Sequence, residues 1–561
     1  MSPLKLETCK SYKTLLSLKT ELKNQSLTTL LADHDRCDKL IKTYGGITLD
    51  LSRELLTLES FDLLVSLCSE LKIKEKSMGL FTGDVLNSSE HRPVLHTALR
   101  LPRDEEFHLD GQNVTRDVHE VLDQIKQFSE DVRSGRIVAS DGKPFDSFLC
   151  IGIGGSFLGS LFTTEAFMGY PPARESSKNM KVRFLSNIDP ASLRSVTSEL
   201  DPNRTMAIVT SKTFTTMETI KNGYSVRKWL TDNIENPELV GNHMCAISTN
   251  VKLATEFGIV ESRIFPFWEW VGGRFSVCSS VGLVPLSLMF GYDMVEMFLK
   301  GCRDMDLHFK NEPVENNLPF LMALTSFYNS TILGYNVVAL LPYSHDLSKF
   351  PQYAQQLIME SNGKSVSNSS EILTYETSEI YFGECGTNGQ HSFYQMLHQG
   401  RTVPCEFIGI INSHNNDNKL FSRVNHHVEL ICNLFGQLDG LAFGKSPSVM
   451  TKKGMDEKMA RFKMSNGNRP SMLLLFDELT PYSVGQLISL YEHRTAVQGF
   501  LWDINSFDQM GVELGKELAN NLRSLFQKGV EDFSNQEDLG TLSYSTTVLL
   551  RKFMERYKPK N

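Results

Sequence analysis

The sequence predicts an α/β protein with mainly parallel sheets, on the basis of two observations. Short apolar runs with the character of buried strands alternate with longer segments that have the apolar periodicity of helices. Strands that are separated by helices pair in parallel and are covered by those helices on both faces. The strand candidates form two series, 148–153, 181–186, 205–210 and 243–248, followed by 336–342, 379–384, 404–411 and 471–477. The chain is therefore predicted to contain two α/β units of comparable size.

Composition narrows the class of protein. At 561 residues the chain is too long for one hydrophobic core, and its apolar content of 41% is ordinary. The formal net charge of −9 argues against a nucleic-acid-binding protein, which would present a basic face. The ten cysteines include no C-x-x-C pair, which predicts reduced thiols in the core. Because no secretory signal is visible and no apolar run reaches the roughly 18 residues of a membrane span, we expect a cytoplasmic protein without a membrane partner.

The remaining segments surround these two units. Residues 1–115 are predicted to be mainly helical, with one apolar stripe over 61–71. A second stripe over 118–132 ends at Gly135, a candidate helix C-cap. We divide the chain into a helical N-terminal region that packs on the larger domain (1–115), a smaller first α/β domain (116–285), a larger second α/β domain (286–510) and a C-terminal helical arm (511–561).

The segment 148–159 combines a strand, a tight turn and a helix start. Its apolar run ends in Gly152-Ile153-Gly154-Gly155-Ser156. Amides at a helix start lack internal partners, and glycines let a phosphate group approach the backbone. The segment is not a standard nucleotide-binding motif, because Phe157 occupies the position of the third glycine of G-x-G-x-x-G. Considered alone, it is either a phosphate site or only a tight turn.

A second loop of the same kind follows the third strand candidate. The strand ends in Thr210-Ser211-Lys212-Thr213-Phe214-Thr215-Thr216, after which a helical pattern begins. Hydroxyl groups, free amides and one cation suit a phosphate group, whereas N-capping needs only one Ser or Thr. Both loops follow strands of one predicted sheet, so they can converge on one anion at its carboxyl edge, where open α/β sheets bind ligands.

Glu360 is a candidate for acid–base chemistry. It follows the helical run 347–359, and the pair Asn362-Gly363 after it has the character of a left-handed helix cap. A carboxylate in the last turn faces the negative end of the helix dipole, which costs a few tenths to about 1 kcal/mol. A local conflict of this kind is typical of functional sites, so Glu360 is either a general base or an exposed surface residue.

Two further residues are candidates for catalysis. His391, in the segment 386–393, is expected at a helix start, where the dipole favours a neutral imidazole that can exchange protons. Arg274 follows Gly272-Gly273 and is placed to cover an anionic intermediate. A structural histidine and a simple salt bridge are the respective alternatives.

The segment 505–516 is expected to open the C-terminal helix. Ser506 and Gln509 have the spacing of a capping box, and spacing alone does not place Lys516. No metal site is predicted, because the sequence has no H-E-x-x-H, no EF-hand loop and no histidine cluster with ligand spacing.

Taken together, these segments resemble the phosphoglucose isomerase family from about residue 40 to about residue 520. The matching motifs are 151–156, 211–216, 271–276, 360–364, 386–391 and 498–516. The resemblance implies two sugar-isomerase (SIS) domains, each an αβα sandwich, in a homodimer whose active site lies at the subunit interface. It implies an enzyme of glycolysis and gluconeogenesis that interconverts D-glucose 6-phosphate and D-fructose 6-phosphate, with no metal and no organic cofactor.

The resemblance also implies a role for each candidate residue. Glu360 is implied as the base that carries a proton between C2 and C1 through a cis-enediol, and Arg274 as the group that stabilises the enediolate. His391, lent by the partner subunit and oriented by Glu218, is implied to open the sugar ring with Lys516. The implied substrate-binding residues are Gly155, Ser156, Ser211, Lys212, Thr213 and Thr216 for the phosphate, and Gln356 and Gln509 for the sugar hydroxyls or the phosphate.

Some positions depart from the family pattern. Phe157, Met217 and Met510 replace a common aspartate, glutamine and tryptophan, which affects the pocket wall but removes no catalytic group.

A sugar-phosphate sensor built on SIS domains is an alternative class of protein. Such a sensor is expected to lack the base and the ring-opening pair, and this chain keeps both. The isomerase half of an amidotransferase is a third interpretation, but nothing here resembles its amino-terminal nucleophile domain.

Overall fold

A computed structural model gives the fold of residues 5–414, 425–527 and 542–557. The chain forms two compact units, residues 1–507 and residues 508–561. The predicted boundary near residue 285 falls inside the helix Ser280–Phe290. The finer, four-part division of the chain remains a prediction.

The described residues contain thirteen strands in three sheets. In chain order they are β1 (Ile41–Tyr44), β2 (Ile47–Asp50), β3 (His108–Leu109), β4 (Gln112–Asn113), β5 (Ser147–Ile151), β6 (Lys181–Leu185), β7 (Thr205–Thr210), β8 (Met244–Ile247), β9 (Ile264–Phe265), β10 (Val337–Pro342), β11 (Ile380–Gly383), β12 (Cys405–Asn412) and β13 (Ser471–Glu478). The eight predicted strands are all present, with ends that differ by at most two residues.

Helices cover both large sheets. Those of eight residues or more in the described part of the chain are α1 (Lys10–Lys23), α2 (Leu58–Glu70), α3 (Ile73–Thr82), α4 (Val114–Arg133), α5 (Leu158–Met168), α6 (Pro190–Thr197), α7 (Met217–Asn233), α8 (Ser280–Phe290), α9 (Tyr292–Asn311), α10 (Leu318–Phe327), α11 (His426–Phe443), α12 (Pro481–Leu501), α13 (Glu513–Gln527) and α14 (Tyr544–Arg556). Shorter helices are Leu27–Leu30, His34–Leu40, Pro171–Ser176, Val251–Glu256, Phe350–Gln355, Gly386–Gln390, Tyr394–Gln399, Pro447–Thr451 and Glu457–Phe462. The two predicted amphipathic stripes correspond to α2 and α4, and Gly135 has the positive φ expected just beyond a helix end.

The first large sheet is entirely parallel. Its strand order is β6-β5-β7-β8-β9. Every residue of β5 and of β7 is buried, as expected of strands covered on both faces. The chain runs outward from β5 to β6 and then crosses back over β5 to form β7. The direction of winding therefore reverses between β5 and β7.

The second large sheet has an antiparallel edge that the sequence pattern did not predict. Its order is β1-β2-β13-β12-β10-β11, in which β10 to β13 are parallel while β2 is antiparallel to both of its neighbours. The hairpin β1–β2 turns at Gly45 and Gly46, which both have positive φ. Two-residue hairpin turns need this conformation, so the Gly-Gly pair was the available signal. The N-terminal region is thus not helical throughout.

Helix α12 runs through the core and carries paired charges there. It is buried along almost its whole length. Arg494 donates to both carboxylate oxygens of Glu406 at 2.7 and 2.6 Å, and Glu492 accepts from Arg100 at 2.9 Å. Arg100 also pairs with Asp306 at 2.6 Å. Because a buried charge is tolerated only with a partner, these contacts fix α12 against β12, α9 and the segment 96–100.

Two further sequence-based expectations, one about the cysteines and one about membrane spans, can be compared with the described residues. All ten cysteines are free thiols and seven of them are buried, in agreement with the prediction. The window Gly273–Phe290 is apolar enough over 18 residues to qualify as a membrane span by composition, which differs from the expectation. Because 94% of this window is buried inside the protein, a core helix explains its composition.

The second unit contains α13 and α14 in its described part, preceded by a turn of 3-10 helix at Met510–Val512. The predicted helix start at 505–509 is wrong, because α13 begins only at Glu513. Ser506 is therefore not a cap, and its hydroxyl instead donates to Oδ1 of Asn362 at 2.7 Å. Residues 528–541 and 558–561 of the predicted arm lie outside the described residues.

We predict that Glu54 makes stability depend on pH. Its carboxyl group is fully buried, and the amide of Asn329 donates to Oε2 at 2.9 Å. Burial raises the pKa of Glu54 from 4.5 to about 8. The folded protein thus holds a proton that the unfolded chain releases, so the free energy of unfolding falls as pH rises from about 5 to 8, by at most about 1.4 kcal/mol per pH unit.

The measurement is the free energy of unfolding in urea at pH 5, 6, 7 and 8, for wild type and for Glu54→Gln. The amide cannot ionise, so the curve of this variant is expected to fall less steeply than that of wild type. Glu59→Gln, an exposed position on α2, should keep the wild-type slope. Parallel curves for wild type and Glu54→Gln would contradict the prediction.

Candidate active site

The first candidate loop, L1 (152–157), connects β5 to α5 as predicted. It contains one turn of 3-10 helix, Gly154–Ser156, in which Gly154 has a φ of +58°. A Cβ atom on Gly154 would lie 3.1 Å from Nε2 of Gln356, so the backbone of L1 lies close to that side chain. Phe157 packs edge-on against Phe184 of β6, with ring centroids 5.8 Å apart. Phe157, one of the residues that depart from the family pattern, thus packs against the neighbouring strand.

The second candidate loop, L2 (211–216), connects β7 to α7. Ile151 of β5 pairs with Val209 of β7, so L1 and L2 leave neighbouring strands at the same edge of the sheet. The winding direction reverses between these two strands, and open α/β sheets bind ligands in the crevice at that point. The topology therefore supports the predicted convergence of the two loops.

The hydroxyl groups of L2 bond to one another. Ser211 Oγ donates to Thr216 Oγ1 at 3.2 Å, and the hydroxyls of Thr213 and Thr215 are 2.6 Å apart. Thr216 is the N-cap residue of α7, but its side chain makes no capping hydrogen bond. Simple N-capping therefore does not account for this group of hydroxyls.

The ammonium group of Lys212 fastens L2 to another segment. It donates to the carbonyl oxygens of Glu269 at 2.9 Å and of Val271 at 3.0 Å, and lies 3.4 Å from the carboxylate of Glu269. Burial lowers the pKa of Lys212. The cation that the sequence suggested for phosphate binding thus holds the start of a third loop, L3 (271–276), which carries Arg274.

L1 and L3 touch through their backbones. A Cβ atom on Gly155 would lie 2.2 Å from the carbonyl carbon of Gly273 and 2.7 Å from the backbone nitrogen of Arg274. No side chain fits at such distances, so glycine is required at position 155. The sequence suggested that this glycine allows a ligand to approach the backbone; the structure adds that it allows L3 to approach.

Glu360 ends a π-helical turn, not an α-helix. The helix Phe350–Gln355 continues into the π-helical turn Gln356–Glu360. Oε2 of Glu360 accepts from Nε2 of Gln356 at 2.7 Å, and Oε1 accepts from Nη1 of Arg274 at 3.2 Å. The side chain of Glu360 is 28% exposed, whereas that of Arg274 is 1% exposed. A partly accessible carboxylate is therefore held between an amide and a buried guanidinium.

Arg274 has two further partners that the sequence did not suggest. Its Nε donates to the hydroxyl of Ser361 at 2.6 Å, and its Nη2 donates to the carbonyl oxygen of Ser506 at 2.6 Å. The alternative of a simple salt bridge is thus incomplete, because one guanidinium joins L3, the end of the π-helical turn and the segment after α12.

The predicted left-handed cap after Glu360 is wrong. Neither Asn362 nor Gly363 has positive φ. Asn362 is fully buried, its Nδ2 donates to the carbonyl oxygen of Thr495 at 3.0 Å, and its Oδ1 accepts from Ser506 Oγ. The Asn side chain is used for a tertiary contact, and this is why a local rule for Asn-Gly failed.

His391 is placed differently from the expectation. It is exposed and follows the end of the five-residue helix Gly386–Gln390, so the argument from a helix start does not apply. It lines a polar pocket of about 400 Å³ together with His398 and Lys463. Within the described part of the chain, no hydrogen bond or ion pair links His391 to Glu218, which lies in the first turn of α7.

Lys516 and Gln509 belong to the second unit. Lys516 is exposed on α13 and forms an ion pair with Glu513 at 2.8 Å. Gln509 lies just before the 3-10 turn that precedes α13. The roles that the resemblance implies for these two residues remain predictions.

Sequence and structure comparisons identify close relatives. The chain is 48% identical over 535 residues to a cytosolic glucose-6-phosphate isomerase of Arabidopsis thaliana, with 95% of each chain covered. It is 49% identical over 497 residues to cytosolic glucose-6-phosphate isomerase B of Oryza sativa subsp. japonica, with 89% of this chain and 88% of the relative covered. A crystal structure of a glucose-6-phosphate isomerase from Chlamydia trachomatis superposes with a TM-score of 0.84, at 32% identity, over 97% of this chain and 100% of the other.

The fold and the site define an α/β enzyme with two strand-to-helix loops at the winding reversal of a parallel sheet, near a carboxylate–arginine pair. A family model described as phosphoglucose isomerase matches residues 50–540. The chain belongs to the phosphoglucose isomerase family.

We predict that Gly155→Ala separates L1 from L3. The added methyl group would overlap the Gly273 carbonyl, and overpacking of this kind costs about 1–3 kcal/mol. Because Arg274 follows Gly273, isomerase activity should fall about 10-fold or more through misplacement of the guanidinium. The measurements are the thermal unfolding midpoint and the turnover of the purified variant.

Gly436→Ala is the matched control for Gly155→Ala. Gly436 lies in α11, and a Cβ atom there has no neighbour within 4 Å. Its substitution should leave activity unchanged and raise stability slightly, because alanine is favoured over glycine in a helix. Wild-type activity in Gly155→Ala would show that the L1–L3 contact does not position Arg274.

Proposed function

We propose that this protein catalyses the reversible aldose–ketose isomerisation of D-glucose 6-phosphate and D-fructose 6-phosphate. The observation that carries the proposal is the pair of Glu360 and buried Arg274 beside two phosphate-type loops at the winding reversal of a parallel sheet. The relatives that match this chain over nearly their whole length are named glucose-6-phosphate isomerases, and this supports the same reaction here. Their cytosolic designation supports a cytosolic enzyme of glycolysis and gluconeogenesis.

The phosphate group is proposed to bind between L1 and L2. The backbone of Gly155 and Ser156 and the hydroxyls of Ser211, Thr213 and Thr216 supply neutral donors there. The helices α5 and α7 begin just beyond these loops and point their positive ends toward the crevice. Lys212 contributes mainly by holding L3 against L2, since its ammonium group already contacts two carbonyl oxygens. Binding of the phosphate, which does not react, holds the open sugar chain in place for the chemistry.

Proton transfer is assigned to Glu360. An aldose and its ketose differ only in the positions of two protons, so a base that moves one proton between C2 and C1 suffices without a covalent intermediate. Arg274 presents its positive charge at the same carboxylate, where negative charge also develops on the enediolate oxygens. Gln356, which bonds Glu360 and lies beside Gly154, is placed to orient the base or to bind a sugar hydroxyl.

Ring opening is assigned to His391 and Lys516, as in the family that the sequence resembles. Glu218 is proposed to orient His391, and Gln509 to bind the substrate. His391 is exposed, and no hydrogen bond or ion pair joins it to Glu218 among the described residues of one chain. We therefore infer that the active chain is a homodimer and that His391 completes the site of the partner subunit.

Removal of the base is the first test. Glu360→Gln keeps the shape of the side chain, and its amide oxygen can still accept from Arg274, while the bond to Gln356 is kept only if the Gln356 amide flips. The new amide cannot accept the proton. We expect kcat to fall by roughly 10²- to 10⁴-fold while inhibition by inorganic phosphate stays unchanged. The assay follows conversion of glucose 6-phosphate and exchange of the C2 proton with solvent.

The control for this variant is Glu130→Gln, an exposed glutamate on α4, which should behave like wild type. Turnover of wild-type magnitude in Glu360→Gln would refute the assignment of the base. Wild-type protein that does not interconvert the two sugar phosphates would refute the proposed function itself.

A shared active site makes a second, independent prediction. Co-expression of His391→Ala and Glu360→Gln chains with different affinity tags yields mixed dimers in which one of the two sites has both residues. Random pairing should restore roughly a quarter of wild-type activity, whereas each variant alone stays inactive. Activity that is not restored in the purified mixed dimer would show that each site takes both residues from one chain.

A further inference from the structure

We propose that Ser361, together with Asn362 and Ser506, is a positioning residue that holds Arg274 in register with the base throughout the reaction. The inference rests on the proposed function, because it concerns the same proton transfer. The three residues touch Arg274 or one another and are not themselves assigned to contact the substrate. They form what we call the arginine clamp (Ser361, Asn362 and Ser506).

The arginine clamp acts from two sides of the guanidinium. Ser361 Oγ accepts from Nε of Arg274, and the carbonyl oxygen of Ser506 accepts from Nη2, both at 2.6 Å. Nη1 faces Oε1 of Glu360 at 3.2 Å. The planar guanidinium is rigid, so two short bonds on neighbouring nitrogens determine where the third nitrogen points.

The arginine clamp is closed by the side chain of Asn362. Ser506 Oγ donates to Asn362 Oδ1 at 2.7 Å, and Asn362 Nδ2 donates to the carbonyl oxygen of Thr495 in α12. Gly499, also in α12, makes room for Ser506, because a Cβ atom there would lie 1.8 Å from Ser506 Oγ. All three clamp residues are at most 1% exposed. Arg274 is thereby tied to a helix that is buried along almost its whole length.

The chemistry explains why such a clamp is useful. Glu360 changes between carboxylate and carboxylic acid as it accepts and returns a proton, so its attraction for Arg274 changes during each turnover. Ser361 Oγ and the Ser506 carbonyl are neutral acceptors, and their attraction for the guanidinium does not change with that proton. A cation held in advance stabilises developing charge without having to reorganise, which is the condition for effective electrostatic catalysis.

The sequence places the first two clamp residues directly after the base. Glu360, Ser361 and Asn362 are consecutive, so the backbone that carries the base also carries the acceptor for Arg274 and the link to Ser506. A shift of the base along the crevice would move its arginine partner with it. The clamp thus couples the two charged groups mechanically as well as electrostatically.

Ser361→Ala tests the inference. Loss of the acceptor leaves Nε of Arg274 buried without this partner and lets the guanidinium rotate. We expect kcat to fall roughly 10- to 100-fold, the size of effect that a misplacement of about 1 Å produces, with KM changed by less than about 3-fold. Ser361→Thr retains the hydroxyl and should recover most of kcat. Ser506→Ala keeps the carbonyl but loses the link to Asn362, so its kcat should fall less than that of Ser361→Ala.

Ser287→Ala is the matched control, because Ser287 is also fully buried and, within the described ranges, its hydroxyl donates to the carbonyl oxygen of Val284 in the same helix α8. It should keep wild-type kcat. If Ser361→Ala does not fold, Ser361→Cys provides a side chain of similar shape that is a poorer acceptor, and the same loss of kcat is expected. An active wild type with unchanged kcat in the Ser361 variant would overturn this inference and leave the proposed function standing. A loss in Ser361→Ala that Ser361→Thr does not recover would also overturn it.

Discussion

The need to pair buried charge is the constraint on which the architecture of this protein depends. A guanidinium is tolerated in the interior only where oxygen atoms meet its N–H groups. Arg494 meets Glu406, Arg100 meets Asp306 and Glu492, and Arg274 meets Glu360 together with two neutral acceptors. The first two fasten helix α12 to its surroundings. The third uses the same principle at the crevice, where one partner of the pair remains partly accessible.

The position of the site follows from the topology of the first sheet. The winding direction reverses between β5 and β7, which is the point where open α/β sheets form a ligand-binding crevice, and the loops L1 and L2 leave these two strands there. The backbone contact of Gly155 with Gly273 then brings L3 to that crevice. Because L3 carries Arg274, the ion pair of Arg274 with Glu360 lies close to the phosphate-type loops. Segments more than 200 residues apart in the chain are joined there by the contact of Arg274 with Ser506.

The sequence predicted what depends on local pattern and missed what depends on tertiary contact. The alternation of strands and helices was confirmed, as was the strand–loop–helix character of L1 and L2. Arg274 forms an ion pair with Glu360, and its predicted role over an anionic intermediate remains a prediction. The Asn362-Gly363 pair and the Ser506–Gln509 spacing matched local capping rules. Asn362 instead bonds to α12, and Ser506 bonds to Asn362 and to Arg274. Lys212 is likewise engaged by the carbonyl oxygens of a distant segment. The hairpin β1–β2 had a local signal in Gly45-Gly46, but the region was predicted to be mainly helical and the hairpin was missed.

The π-helical turn at Gln356–Glu360 lets this part of the chain absorb one change in length. A π-helical turn holds one residue more than an α-helical turn, which bonds i to i+4, so deletion of a single residue there would restore regular α-helix. Four residues of an α-helix advance by about 400° around the axis, which is close to one turn, as is the advance of the five residues of the π-helical turn. The carboxylate of Glu360 and the hydroxyl of Ser361 would therefore stay on the side of the helix that faces Arg274. A second deletion would have no extra residue to absorb it and would rotate both groups by about 100°, away from Arg274.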